Sequence, residues 1–176
     1  MASTAPAKGA KVAVRHSIGV QADEVLDILD ALHAAEVRCW ITGGWGVDAL
    51  LHAVTREHRD LDLAVATQSF DAALDVLTGL GFRPVADWLP VRLEVGGDPG
   101  GWVDLHPLAF DENGDGVQSG FDGQLFHYPA ADLVIGDIAG RLVPCISAGL
   151  QRTFHSGYEP RPQDLHDLRL LDTLIS

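Results

Sequence analysis

CWITGGWGVDALL (residues 39–51) and TREHRDLDLAV (residues 55–65) are the two stretches that decide the fold. The first is a short β-rich run that ends at two glycines and continues into good helix formers, which predicts a strand, a glycine turn and a helix. The second ends in an alternating run that predicts another strand. Its two carboxylates, Asp60 and Asp62, flank a single leucine. The glycine turn and these carboxylates are the candidate functional features.

Asp60 and Asp62 should project from the same face of their strand. Side chains at positions i and i+2 of a strand share a face, so Leu61 and Leu63 would turn towards the core. Neighbouring carboxylates repel each other unless a cation lies between them, and Mg²⁺ commonly binds through one or two carboxylates together with substrate phosphates. The alternative is a solvated, acidic end of a strand.

Gly43 and Gly44 lie where a strand is predicted to turn into a helix. Backbone N–H groups at such a turn, and the helix N-terminus itself, can bind an anion such as a triphosphate. An ordinary tight turn is the alternative for the glycines alone.

A third acid, Asp104, lies in the predicted strand WVDLHPL (residues 102–108). Its neighbours Val103 and Leu105 would face the core. Three acids on neighbouring strands could hold two metal ions, an arrangement suited to in-line displacement at phosphorus. His106 shares the face of Asp104 and would act as a ligand or as a hydrogen-bonding support for a carboxylate.

The composition predicts one globular domain. The chain has 176 residues, of which 47% are hydrophobic. We expect a flexible N-terminal tail at residues 1–20, and a single domain at residues 21–176 with a small C-terminal helical part. A formal net charge of −13 argues against a nucleic-acid partner, because such binding depends on Lys and Arg. A small cationic substrate, or an anion accompanied by metal ions, suits this charge better.

Nothing in the sequence predicts export or membrane insertion. The first 19 residues contain no continuous apolar segment, which predicts a cytoplasmic protein without a membrane partner. Cys39 and Cys145 lack the spacing of a zinc or redox site, so we interpret them as core thiols.

The remaining pattern predicts an α+β architecture, a mixed β-sheet flanked by helices. A polar connection is expected at 111–124, and a glycine-rich turn at 96–101 should join two antiparallel strands. Helices are predicted at 23–35, 45–51, 70–80, 147–155 and 163–174, and strands at 37–41, 61–66, 82–87, 91–95, 102–108 and 140–146.

The motifs GGWGVDALL, TREHRDLDLAV and VDLHPL together resemble the nucleotidyltransferase superfamily, whose pattern is a glycine turn, D-x-D and a third Asp on a later strand. The chain is most similar to the small antibiotic nucleotidyltransferases. These are the short lincosamide nucleotidyltransferases and the aminoglycoside 2''-adenylyltransferases. WLPVRLE, DLHPLAFDENGDG and VPCISAGLQRTFHSGYE resemble the lincosamide branch in particular. The resemblance implies the polymerase beta-like nucleotidyltransferase fold.

The resemblance also implies a reaction. A substrate hydroxyl would attack the α-phosphorus of Mg²⁺-bound ATP or another nucleoside triphosphate, and pyrophosphate would leave. Asp60, Asp62 and Asp104 would bind metal, with two Mg²⁺ ions per site, and Asp104 would also act as general base. Gly43 and Gly44 would hold the triphosphate. A homodimer is compatible with the resemblance.

Basic residues near the motifs are candidates for contacts with the triphosphate, since arginine gives bidentate contacts to phosphate. Arg56, Arg59 and Arg92 are the nearest in sequence. For Arg92, a surface ion pair with Glu94 or Asp87 is the alternative. His58 is either a hydrogen-bonding neighbour of the site or an exposed residue.

Aromatic residues near the motifs are candidates for the substrate site. Trp45 and Trp102 suit a nucleobase or an aminosugar, as does Trp88, although a core position is the alternative for each tryptophan. His155 and Tyr158 would close the pocket. The last helix should be capped and charged by Asp164, His166 and Asp167.

The sequence therefore predicts a metal-dependent nucleotidyltransferase that modifies a small hydroxylated antibiotic, with a lincosamide first and an aminoglycoside second. Two functions of other classes stay open: a protein-modifying, toxin-paired nucleotidyltransferase, and a nucleotide-binding regulatory module.

Overall fold

A computed structural model describes residues 19–97, 101–156 and 158–175 of the chain. The predicted N-terminal tail lies outside this part except for its last two residues. Of these, Val20 is 4% exposed, and its N–H donates to the carbonyl oxygen of His58 at 3.0 Å. The central residues of the predicted turn at 96–101 also lie outside the described part, but Gly97 N–H donates to the Gly101 carbonyl and closes it.

The described residues form a mixed β-sheet of nine strands, which confirms the predicted α+β class. The strands are β1 (Cys39–Thr42), β2 (Asp60–Ala66), β3 (Arg83–Trp88), β4 (Arg92–Gly96), β5 (Trp102–Phe110), β6 (Gly116–Ser119), β7 (Leu125–Tyr128), β8 (Leu133–Ile138) and β9 (Arg141–Ile146).

The strand order along the main sheet is β3-β4-β5-β2-β1-β9-β8, and β6 and β7 extend from β5. Most neighbours are antiparallel, but β2 runs parallel to β5 and β1 runs parallel to β9. The parallel pair β2–β5 lies at the centre, so the two acid-bearing strands of the sequence are hydrogen-bonded neighbours.

Five α-helices accompany the sheet within the described residues. Their positions match the predicted helices to within two residues at each end. They are α1 (Ala22–Ala34), α2 (Gly43–Leu51), α3 (Phe70–Gly79), α4 (Ala148–Phe154) and α5 (Pro162–Leu174). No helix in this part of the chain has the length and apolar character needed to span a lipid bilayer.

The two faces of the central strands have different roles. Leu61 and Leu63 of β2, together with Val103 and Leu105 of β5, are fully buried in the main core, which α1 and α3 also fill. The opposite face contributes Ala64 and Leu108 to a smaller apolar cluster with Tyr128, Ile146 and Leu150. Strand alternation therefore places every second residue of β2 and β5 on the face that carries the acids.

The predicted polar connection at 111–124 is wrong, because the chain forms β6 there and continues into β7. Phe110 pairs with Gly116 and Gln118 pairs with Phe126, so this hairpin extends the sheet beyond the end of the β4–β5 ladder. Strand β8 was also missed. Pairing with β5 and β7 overrides the weak β-propensity of the glycine and polar residues in β6.

Gly136 of β8 tests how tightly the sheet packs on α2. A Cβ at this position would lie 2.7 Å from the carbonyl oxygen of Ala49, and neither backbone can yield easily. We expect Gly136→Ala to lower the free energy of unfolding by about 1–3 kcal/mol because the site is overpacked.

Gly79→Ala is the matched control, since a Cβ there meets nothing within 4 Å. It should raise the free energy of unfolding by about 0.5–1 kcal/mol through helix propensity. Urea unfolding of both variants measures the two changes, and equal stability of Gly136→Ala and the wild type would contradict the packing argument.

Candidate active site

One cleft of about 600 Å³ opens over the acid-bearing face of the sheet. Its size suits a small-molecule ligand. Residues of β2 and β5 line it, together with residues from the start of α2, from β6 and β7, from α4 and from the start of α5. The cleft therefore collects residues from almost the whole length of the chain.

Asp62 and Asp104 form the centre of the cleft floor. They are direct partners in the parallel β2–β5 register. Asp104 is 3% exposed, and the neighbours of both acids face the core, as the alternation predicted. Asp60 also lines the cleft, two residues before Asp62. The structure thus brings the three predicted acids to one surface.

The crowding of these carboxylates makes ionisation costly. Burial, and then the negative charge of Asp62, raises the pKa of Asp104 to about 6. Burial and the same neighbour also raise the pKa of Asp60. A cation bound between the acids would relieve both effects, because an opposite charge nearby favours the ionised form.

Arg92 supplies part of this compensation. Its Nη1 lies 2.6 Å from Asp104 Oδ2, and its guanidinium stacks on the ring of Trp88 at 4.5 Å. Arg92 thus lines the cleft and pairs with Asp104, and the alternative surface pair with Glu94 or Asp87 is not formed. Arg59 is the partner of Glu94 instead, at 3.5 Å.

The donor atoms in the cleft fit a divalent cation. Ligand atoms of Asp62, Asp104 and His106 all lie within 4.8 Å of one another. Asp104 Oδ1 is buried and has no hydrogen-bond partner among the described residues. Carboxylate oxygens are the donors that Mg²⁺ prefers. Asp60 lines the same cleft without belonging to this group.

The two glycines begin α2 instead of preceding it. Gly43 adopts φ +58°, a backbone conformation that favours glycine. A Cβ on Gly43 would overlap the carboxylate of Asp62, and one on Gly44 would overlap the side chains of Arg56 and His58. The backbone of this turn therefore lies directly against the acids and the basic residues of the cleft.

Arg56 lines the cleft and is fixed by α5. Its Nε and Nη2 donate to the two carboxylate oxygens of Asp167 at 2.9 and 2.7 Å. The predicted helix-charging role of Asp167 is therefore wrong, since its side chain is buried and faces the cleft. Asp164 does cap α5, accepting from the Arg161 N–H at 2.8 Å. His166 contacts Thr55 Oγ1 at 3.2 Å.

Asp167 also interacts with His155, whose Nε2 lies 3.8 Å away. Burial opposes ionisation of Asp167, but the hydrogen bonds from Arg56 and the nearby His155 imidazole outweigh burial and lower its pKa to about 2. For His155, burial opposes protonation, but the nearby Asp167 carboxylate and the Gln151 carbonyl together outweigh burial and raise the pKa. These three side chains form a charged cluster between the glycine turn and α5.

The tryptophans do not reach the cleft. Trp45 is 2% exposed and packs on His58, with ring centroids 4.6 Å apart. His58 is itself buried, and its Nε2 lies 2.5 Å from Asp48 Oδ2. Trp102 lies under the guanidinium of Arg59 at 4.7 Å and is not part of the cleft lining. Helix α2 turns Trp45 into the core because its opposite side faces the cleft.

One side of the cleft is lined by aromatic and amide side chains, most of which the sequence did not predict. His155 and Tyr158 line the cleft at their predicted positions, although their contacts with a substrate stay predictions. The wall also contains five further residues. Among these, the alternation in LFHY (residues 125–128) could have indicated that Phe126 and Tyr128 share a strand face. They are Gln118, Phe126, Tyr128, Gln151 and Phe154.

Gln151 joins this wall to the glycine turn. Its side chain is 1% exposed, and its Nε2 donates to the carbonyl oxygen of Gly43 at 3.2 Å. Helix α4 thereby fixes the first peptide of α2 from below. Together with the Arg56–Asp167 pair, this contact makes the C-terminal helices part of the site.

Comparison with known proteins assigns this arrangement to a family. The sequence model of the aminoglycoside-2''-adenylyltransferase family matches residues 24–171. A lincosamide resistance protein of Staphylococcus haemolyticus is 31% identical over 151 residues, which span 86% of this chain and 94% of that protein.

Solved structures agree with the sequence comparison. The lincomycin-bound lincosamide antibiotic adenylyltransferase LnuA superposes with a TM-score of 0.80 at 31% identity, over 89% of this chain and 99% of that one. ANT(2'')-Ia in complex with adenylyl-2''-tobramycin superposes with a TM-score of 0.69 at 22% identity, over 88% and 89%, and thus shares the fold.

The Asp167 cluster gives a pH-dependent test of stability. We expect Asp167→Asn to lower the free energy of unfolding at neutral pH by about 2 kcal/mol, because Arg56 loses its buried partner. The folded-state pKa of Asp167, about 2, lies below the ordinary value of 3.8. Its contribution is therefore complete above the ordinary value and is lost as the pH falls towards 2.

Urea unfolding at a series of pH values from 7 to 3 measures this difference. The gap between wild type and Asp167→Asn should begin to shrink once the pH falls below about 4. Asp75→Asn, on the exposed side of α3, is the control and should match the wild type throughout. A gap that stays constant down to pH 3 would contradict the assigned ion pair.

Proposed function

The chain belongs to the aminoglycoside-2''-adenylyltransferase family of antibiotic nucleotidyltransferases, and on this basis we propose a specific reaction for it. The protein transfers a nucleoside monophosphate from a nucleoside triphosphate, ATP first, to a hydroxyl group of a lincosamide, and pyrophosphate is released. The observation that carries the proposal is the pairing of Asp62 with Asp104 beside the Gly43–Gly44 turn in one cleft.

Asp60, Asp62 and Asp104 would hold Mg²⁺, with two ions per site. When bound, the cations would neutralise the triphosphate and stabilise the leaving pyrophosphate. The support comes from the carboxylate donor set, from the buried and unpaired Asp104 Oδ1, and from the raised pKa of Asp104. Without a cation, these acids would repel one another on adjacent strands.

Asp104 is the proposed general base. The acceptor oxygen forms a bond to the α-phosphorus, the bond from that phosphorus to the pyrophosphate oxygen breaks, and the hydroxyl proton passes to Asp104. The pKa of Asp104, about 6, lies below neutral pH, so its carboxylate is ionised and can accept the proton. The Arg92 contact to Oδ2 would orient the carboxylate.

The triphosphate would lie against the start of α2. Amide groups of Gly43 and Gly44 can donate to phosphate oxygens there, because no Cβ blocks their approach. Arg56 and Arg92 line the same cleft and supply positive charge. Gln151 and Asp167 hold the turn and Arg56 in place before the nucleotide arrives, which lowers the entropic cost of binding.

The acceptor would lie against the aromatic wall. Phe126 and Phe154 present ring surfaces, with centroids 5.4 Å apart, and His155 and Tyr158 add polar edges. Lincosamides combine apolar substituents with an amine and sugar hydroxyls, which suits this mixture of rings and acids. The net charge of −13 favours such a cationic acceptor over a nucleic acid.

An aminoglycoside is the second candidate acceptor. The family model carries that name, and the acidic side chains of Glu57, Asp60 and Asp164 line the cleft where several amines could bind. The apolar surface of Phe126 and Phe154 favours the lincosamide. In either case we place the reaction in the cytoplasm, where nucleoside triphosphates are abundant. A homodimer stays a prediction.

Asp104→Asn should abolish turnover while preserving the fold. We expect Mg²⁺-dependent pyrophosphate release with one antibiotic class in the wild type, and at least a hundredfold lower kcat in the variant, because the general base is lost. Pyrophosphate release from ATP and GTP, with a panel of lincosamides and aminoglycosides, measures this. Mass spectrometry of the antibiotic should show the gain of a nucleoside monophosphate.

Asp122→Asn is the control for this experiment, since Asp122 is exposed in a turn outside the cleft. It should retain full activity, and both variants should unfold cooperatively like the wild type. Absence of pyrophosphate release across the whole panel, despite Mg²⁺-dependent ATP binding, would contradict the proposed acceptors. Equal kcat for Asp104→Asn and wild type would contradict both proposed roles of Asp104, as metal ligand and as general base.

Phe126→Ala tests the acceptor wall. Loss of one ring contact worth about 1.4 kcal/mol should raise KM for the lincosamide about tenfold and leave KM for ATP unchanged. Phe121→Ala is the matched control, because Phe121 is 55% exposed and lies outside the cleft. An equal rise in KM for the lincosamide and for ATP, or no change in either KM, would contradict acceptor binding at Phe126. Steady-state kinetics with each substrate varied in turn measures both constants.

A further inference from the structure

His106 could act in two ways in this site, and the hydrogen bonds around it distinguish them. A ring nitrogen of His106 belongs to the group of donor atoms that also contains oxygens of Asp62 and Asp104, and its Nε2 faces Asp62. A histidine in such a group is either a metal ligand or a hydrogen-bond donor to a carboxylate ligand. Which one applies depends on where the imidazole proton lies.

A chain of hydrogen bonds runs from the β6–β7 hairpin to Asp62. The hydroxyl of Tyr128 donates to Gln118 Oε1 at 2.5 Å. Gln118 Nε2 lies 3.2 Å from His106 Nδ1, and His106 Nε2 lies 3.3 Å from Asp62 Oδ1. Gln118 and Tyr128 are 8% and 2% exposed, so water does not compete freely with these contacts.

We propose that Gln118 and Tyr128 hold His106 as the Nε2–H tautomer, which donates to Asp62 and makes His106 a positioning residue and not a metal ligand. This inference rests on the proposed role of Asp62 in binding metal. It leaves the carboxylates, among the described residues of the cluster, as the donors to the cation.

The direction of each bond follows from the chemistry of its partners. An ionised carboxylate only accepts, so the Nε2 that faces Asp62 carries a hydrogen. An amide NH₂ group only donates, so the Nδ1 that faces Gln118 has a free lone pair. The Tyr128 hydroxyl fixes the orientation of the Gln118 amide, because it donates to Oε1. With the amide reversed, the NH₂ group would face the tyrosine oxygen, and the hydroxyl would lose this acceptor.

The consequence concerns metal selectivity. An Nε2 that carries hydrogen offers no lone pair, so the cation meets carboxylate oxygens alone. Oxygen donors suit Mg²⁺ and Mn²⁺, whereas an available imidazole nitrogen would favour Zn²⁺. The hairpin thereby acts on the metal site through two residues that touch neither the metal donors nor the reacting groups.

The first test reads the tautomer directly. Long-range ¹H–¹⁵N NMR of the whole protein at about pH 8, above the ordinary imidazole pKa of about 6.5, distinguishes protonated from unprotonated ring nitrogens. His106→Gln identifies the His106 signals by their loss. Nε2 protonated and Nδ1 unprotonated is the expected result. A proton on Nδ1, alone or together with Nε2, would overturn the proposal whether or not any antibiotic is modified.

The second test reverses the tautomer. Gln118→Glu replaces the amide donor with a carboxylate that accepts from both Tyr128 and His106 Nδ1, so Zn²⁺ can displace the Nε2 proton while Nδ1–H donates to the new carboxylate. Titration calorimetry with Zn²⁺ and Mn²⁺ should show at least a tenfold rise in the ratio of Zn²⁺ to Mn²⁺ affinity. In the Zn²⁺-loaded variant, the NMR signals of His106 should show the proton on Nδ1 and none on Nε2.

Gln124→Glu is the matched control, because it adds the same charge at an exposed position outside the cleft. It should leave the affinity ratio within about twofold of the wild type. An unchanged ratio in Gln118→Glu, or an equal change in Gln124→Glu, would overturn the assignment of His106 as a donor held by Gln118.

Discussion

The repulsion between Asp62 and Asp104 is the constraint around which the rest of the site is built. Parallel pairing of β2 with β5 forces the two carboxylates side by side on one face, while their neighbours anchor both strands in the core. The strands cannot separate the charges without exposing that core. The cost of this arrangement is seen in the raised pKa of Asp104, and functional sites commonly carry such a cost.

The surrounding residues act on this constraint from three directions. Arg92 reaches Asp104 from β4, and His106 of β5 reaches Asp62 on the neighbouring strand. From the C-terminal helices, Asp167 holds Arg56 and Gln151 holds the glycine turn. The C-terminal helices are therefore part of the cleft as well as of the core.

The sequence predicted those parts of the site that depend on local periodicity. Alternation placed Asp60, Asp62 and Asp104 on one face, and apolar spacing or helix-forming residues indicated the helices. The β6–β7 hairpin was missed, because the pairing of β6 with β5 and of β7 with β6 is not visible in local periodicity. The positions of Asp167 and Trp45 were also mispredicted. The partner of Asp167 lies 111 residues away, and the burial of a tryptophan depends on which side of α2 meets the core.

The β6–β7 hairpin has a further consequence in evolutionary terms. Phe126 lines the cleft on the wall proposed to bind the acceptor, whereas Gln118 and Tyr128 of the same hairpin connect through His106 to Asp62. In the proposed site, a substitution at Phe126 would alter acceptor binding and leave the carboxylates in place, while one at Gln118 or Tyr128 would disturb the contact with Asp62. Under changing antibiotic pressure, a lineage could diversify its substrate range by substitution at Phe126. Purifying selection would meanwhile preserve Gln118 and Tyr128, and with them the contact to Asp62.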